Sequence, residues 1–124
     1  MKNTSIIIDQ QFSIMESKYE LYVLNLCVDD HAIRIRYKIT PPVPYINSAT
    51  EGALLFTWCG HAKDNSGNEY NSWGGACGLS SDGKFTDGVL SFIPIFEENI
   101  LFLDVTFIPE RINTNDEYSF RVTF

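Results

Sequence analysis

Ala32-Ile33-Arg34-Ile35-Arg36-Tyr37-Lys38-Ile39-Thr40 alternates apolar and polar residues without a break. A strand would gather Ile33, Ile35, Tyr37 and Ile39 on one face and set Arg34, Arg36, Lys38 and Thr40 on the other. A helix would scatter the same apolar groups all round its surface. The stretch therefore predicts a β-strand with one wet face. Glu117-Tyr118-Ser119-Phe120-Arg121-Val122-Thr123-Phe124 repeats the pattern, with Tyr118, Phe120, Val122 and Phe124 on the apolar side. Strands of this kind need a second layer to cover them.

Working outward, residues 19–28 and 53–59 are nearly continuous apolar runs, which predicts central strands covered on both faces. Residues 4–8 form an edge strand in this reading, and residues 89–95 and 100–108 a hairpin across Phe96-Glu97-Glu98-Asn99. Asn113-Thr114-Asn115-Asp116 is turn chemistry, because Asn and Asp side chains bond their own backbone and tolerate positive φ. Asp29-Asp30-His31 makes a tight link of the same kind. Pro41-Pro42-Val43-Pro44 ends a strand, since proline cannot donate to a ladder and restricts the residue before it. The connection onward to Glu51 then crosses between sheets. Residues 12–21 also admit a helical spacing (Phe12, Met15, Tyr19). The sum is an all-β, two-sheet antiparallel sandwich of about seven to eight strands, in a single domain over residues 1–124.

Composition agrees with a folded β domain: 44% of residues are apolar, and nine Phe, six Tyr and two Trp suit pleated surfaces. The net charge is −7, with no run of Lys or Arg. Nucleic acid and anionic membrane surfaces both demand clustered cations, so neither is an expected partner. A protein partner of basic charge is expected instead. No stretch approaches the roughly 20 apolar residues of a membrane helix. Ile6-Ile7-Ile8 is too short for a signal-peptide core, which gives a cytoplasmic expectation. The three cysteines, Cys27, Cys59 and Cys77, are widely spaced and lack a C-x-x-C pair. Reduced thiols, no metal and no cofactor are expected.

The segment from Lys63 to Asp87 departs most from regular strand. Half of the eight glycines lie between Gly67 and Gly78, which predicts a bent or bulged hairpin. Its motifs are Asp64-Asn65-Ser66-Gly67-Asn68-Glu69-Tyr70, Gly74-Gly75, Ser81-Asp82-Gly83 and Phe92-Ile93-Pro94. Over residues 63–107 this pattern resembles uncharacterised bacterial immunoglobulin-like domains. The resemblance implies an immunoglobulin-like sandwich and carries no catalytic residues with it.

Four chemistries bear on this segment and its neighbours. Asp64, Ser66 and Asn68 alternate oxygen ligands as calcium loops do, but glycine and glutamate are not where an EF-hand places them. Cys59 and His61, two apart on a strand, share a face and form the nearest nucleophile–base pair, without a nucleophile elbow or oxyanion loop. Trp58, Tyr70 and Trp73 could form a platform for a carbohydrate. The reading preferred over all three is a non-enzymatic protein-binding domain of immunity or accessory type. Its contact residues would be Asp64, Asn68, Glu69, Tyr70 and Trp73, on a loop held by a rigid scaffold. The wet face of Arg34, Arg36 and Lys38 is the next surface in line.

Overall fold

The computed structural model describes residues 4–47, 53–94, 100–112 and 114–124, with backbone alone at residues 46, 47, 53, 73 and 74. The strands are β1 (Thr4–Ile14), β2 (Tyr19–Val28), β3 (Ile33–Thr40), β4 (Tyr45–Asn47), β5 (Ala53–Leu54), β6 (Thr57–Asp64), β7 (Glu69–Leu79), β8 (Thr86–Phe92), β9 (Phe102–Glu110) and β10 (Tyr118–Thr123). No helix occurs among the described residues, so none is long and apolar enough to cross a membrane.

Eight strands form one antiparallel sheet in the order β1-β2-β3-β8-β7-β6-β9-β10, and β4 pairs with β5 in a separate ribbon. The sheet curls until its two edges meet and is nearly closed into a barrel. Side chains rather than a ladder make that closure. The Phe12 ring lies 5.8 Å from Tyr118 and 6.3 Å from Phe120.

Alternation decides what fills the interior. In β3, Ile33, Ile35, Tyr37 and Ile39 are buried while Arg34 and Arg36 are exposed, as the sequence predicts. Phe120 and Val122 of β10 are likewise buried. An aromatic contact also bridges strands that share no ladder, and a run of ring contacts continues from it. Tyr37 of β3 meets Phe107 of β9 at 5.6 Å, Phe107 meets Trp58 at 5.7 Å, and Trp58 meets Phe56 at 5.9 Å. Edge-to-face pairs of this kind add to the area they bury.

Several expectations change. The two stacked sheets are one continuous sheet, because β7 changes partner midway: residues 69–71 pair with β6, and from Ser72 to Leu79 the strand pairs with β8. The register slips between Ser72 and Gly74; the bulge falls at Trp73, one residue before the expected Gly74-Gly75, and it turns the strand from one wall into the next. The hairpin expected across residues 96–99 is not formed, and those residues themselves lie outside the described ones. β8 sits between β3 and β7, while β9 sits between β6 and β10, so two apolar runs adjacent in sequence belong to different walls. The run 53–59 is two elements, β5 and β6, broken at Leu55 and Phe56. β1 extends to Ile14, and residues 12–21 form a hairpin rather than a helix, closed by Lys18 N–H to the Met15 carbonyl at 3.1 Å.

Candidate functional site

The β6–β7 hairpin holds the residues picked out as a contact surface, and Asp64 organises it from inside. Its carboxylate accepts the Ser66 N–H at 2.8 Å, the Asn68 N–H at 3.0 Å, the Asn68 amide at 3.1 Å and the Tyr70 phenol at 2.8 Å. Burial, the largest single influence, pushes the Asp64 pKa up. The bonds from Tyr70, Asn68 and Ser66 together outweigh it and hold the carboxyl below its ordinary value. Gly67 takes φ +88 at the tip, the left-handed shape that glycine adopts without a Cβ penalty.

Asp64 is 4% exposed and Tyr70 2%, so both face inward and offer a partner almost no area. Asn68 is half-buried, and Glu69 is exposed with Oε1 3.4 Å from His61 Nε2. The Trp73 side chain lies outside the described residues. The five sites therefore do not form one surface: two of them build the hairpin, and two lie on its outside.

A larger feature lies beside it. The β6–β7 ladder stops at His61 and Asn71, and Gly60 N–H donates instead to Ser72 Oγ at 2.8 Å. Beyond that point the strands diverge around a cleft of about 440 Å³. Thr57, Trp58 and Cys59 line one wall and Gly75, Ala76 and Cys77 the other. A shallower hollow of about 300 Å³ continues past Gly78 and Gly88.

The wall from β7 is Gly74-Gly75-Ala76-Cys77-Gly78-Leu79. One edge bonds to β8, and the other pairs with no strand among the described residues. Gly75 is fixed by close approach, since a Cβ there would strike the Val89 carbonyl oxygen. The stretch has no charge and no proline, and Ala76, Cys77 and Leu79 are exposed. The other edges are guarded. β1 slips register between Ile7 and Gln10, with Asp9 at φ 54, and β10 carries Arg121, bonded to Asp104 at 2.7 and 3.0 Å. Kinks and charges block strand-to-strand pairing at edges; the β7 bulge lies at Trp73, and residues 74–79 run on from it in regular pairing with β8 and without charge. The absence of such guards is legible in the sequence as an uncharged run without proline.

Two thiols line the cleft. Burial, with the carboxylates of Glu110 and Glu117, pushes the Cys59 pKa up. Burial also raises Cys77, outweighing the Tyr37 phenol that donates to it and the nearby Arg111. All three cysteines are free thiols, and no hydrogen bond joins Cys59 to His61 among the described residues. Trp58 is 6% exposed, and its indole Nε1 has no hydrogen-bond partner among the described residues.

Fold and site together define an all-β, antiparallel, barrel-like domain whose wall parts between β6 and β7. A crystal structure of the conserved domain protein from Bacillus anthracis is similar over 100% of this chain and 48% of its own, with 15% identity and a TM-score of 0.55. The likeness is one of fold, and the chain spans about half the length of that protein. No family model and no curated protein matches the sequence.

Proposed function

We propose that this chain is a non-enzymatic protein-binding domain that holds an extended segment of its partner against the free edge of β7. The observation that carries the reading is the unguarded edge over residues 74–79, open along the cleft. Unpaired N–H and C=O groups on a sheet edge template the addition of another strand, and small side chains let the incoming backbone approach. The net charge of −7 favours a basic partner, because opposite charges steer encounter.

Chemistry in the cleft supports binding over catalysis. A nucleophilic cysteine needs a lowered pKa, whereas burial and two carboxylates raise that of Cys59. A stacking platform for sugar draws no support from Trp58 and Tyr70, both buried in the core.

The test is hydrogen exchange on the domain with and without a partner recovered by affinity capture. Amides of residues 75–79 should gain protection, and Ala76→Lys, which places a guarding charge on an exposed edge position, should weaken binding about tenfold or more while leaving the fold intact. Protection confined to residues 64–70, with Ala76→Lys binding like the parent, would move the site to the hairpin. Affinity should fall with added salt if the partner is basic.

A further inference from the structure

We infer that the segment docked on β7 is a strand that alternates apolar and basic residues, its apolar side chains entering the open barrel wall and its Lys or Arg side chains facing Glu110. The inference rests on the strand-docking reading and names the chemistry of the occupant. Ladder rows fix which way each residue of the free edge points. Cys77 pairs with Gly88, which pairs with Tyr37, and Leu79 pairs with Thr86, which pairs with Ile39. Tyr37, Ile39 and Thr86 are buried, and partners across a ladder share a face, so Cys77 and Leu79 point inward as well. Both are nevertheless exposed, Leu79 at 52%. They stand on the inner face without the cover that Tyr37 and Ile39 have.

A strand added to β7 continues its pleat. Side chains opposite Cys77 and Leu79 face in, and those opposite Ala76 and Gly78 face out. The inward positions lie over Cys77, Leu79 and the cleft, where Leu90 stands in the row of Gly75. An apolar side chain there removes its own surface and that of the uncovered pair from water. A polar one would be buried without partners.

The outward positions meet a different chemistry. Glu110 lines the cleft from the far wall and pairs with Thr57. The next pair along that ladder, Trp58 and Pro109, is buried, so the exposed Glu110 belongs to the outer face. Cys59 shares that face, and the charges felt there are the carboxylates of Glu110 and Glu117 alone, while the cation of Arg111 is felt at Cys77. Neither Glu110 nor Glu117 has an ion partner among the described residues, whereas Arg34 and Arg36 on the outer face are joined to Asp29 and Asp87. The unanswered charge on this outer rim is negative. Lys or Arg at the outward positions is attracted to it, and Asp or Glu is repelled.

The probes are end-capped peptides about eight residues long, an ordinary strand length, each titrated into the intact protein. One alternates Val with Lys, one alternates Val with Glu, and one has the composition of the first with its Val and its Lys in separate blocks. The readout is the backbone N–H resonances of residues 75–79 in a nitrogen–proton correlation spectrum. The Val–Lys alternation should move them saturably and bind about tenfold tighter than either of the others. Replacing the two exposed carboxylates, Glu110→Gln with Glu117→Gln, should narrow the gap between the Lys and Glu peptides and leave the gap to the blocked peptide. Equal binding by all three, or binding by none while a captured partner still protects residues 75–79, would overturn the inference and leave the docking reading standing. Shifts confined to residues 64–70 would overturn both. Shifts of residues 75–79 on concentrating the protein alone would give the edge to a second copy of this chain and likewise overturn the inference.

Discussion

The Tyr70 phenol donates to Asp64 Oδ2 at 2.8 Å, between two side chains that are both almost wholly buried. Tyr70 stands on β7 opposite Ala62 of β6, and Asp64 ends β6, so this one bond ties the hairpin's two arms across its base. Tyr70→Phe removes a hydrogen bond to a charged acceptor and should cost about 1.5–3 kcal/mol. Asp64→Ala strands four donors and should cost more. Urea unfolding of the two variants checks the order. A Tyr70→Phe protein as stable as the parent would mean that the phenol carries no share of the hairpin.

Acid should destabilise the protein in a defined window. Asp29 is held at about 2, first by the His31 N–H, then by Arg34 and the Ala32 N–H. Asp64, Asp82 and Asp104 also lie below the ordinary 3.8. A carboxyl whose folded pKa is depressed contributes stability above its unfolded pKa and loses it as pH falls through the folded value. The urea midpoint should therefore hold near neutrality and fall from about pH 4 to about pH 2. Asp29→Asn should flatten part of that fall, and an unchanged acid limb would refute the assignment.

Two glycines on β7 should answer differently to the same change. A Cβ on Gly75 would strike the backbone oxygen of Val89, whereas a Cβ on Gly78 meets nothing within 4 Å. Gly75→Ala should cost about 1–3 kcal/mol by forcing β7 away from β8. Gly78→Ala should stay within about 0.5 kcal/mol of the parent. Thermal unfolding of the pair decides the matter, since equal effects would place the close approach elsewhere.

The last strand should be indispensable. Phe120 and Val122 are buried, and Tyr118 and Phe120 join the two sheet edges through Phe12. Burial of such side chains stabilises by roughly 1.5–3 kcal/mol each. Ending the chain at Glu117 should leave an unfolded or aggregating protein by circular dichroism and size exclusion. A cooperative melt from that truncated chain would show the barrel standing without its seam.

The sequence by itself determined which residues face in. Strict alternation in β3 and β10 put Ile35, Tyr37, Phe120 and Val122 in the core, and proline and Asp/Asn chemistry marked the end of β3 and its link from β2. It also placed a bulge close to Gly74-Gly75, one residue from where it falls, because these signals are local: side-chain direction has period two, and turn preference resides in a few residues. Partnership between strands was decided only in the tertiary structure. β8 and β9 look like a hairpin along the chain yet belong to different walls, since one apolar face fits many neighbours and long-range pairing leaves no local mark. The same physics hid the candidate site. Asp64 and Tyr70 read as recognition chemistry until folding turned them inward onto each other, and the uncharged run at residues 74–79 read as plain strand. Only where β7 parts from β6 does that run become an open edge along the cleft.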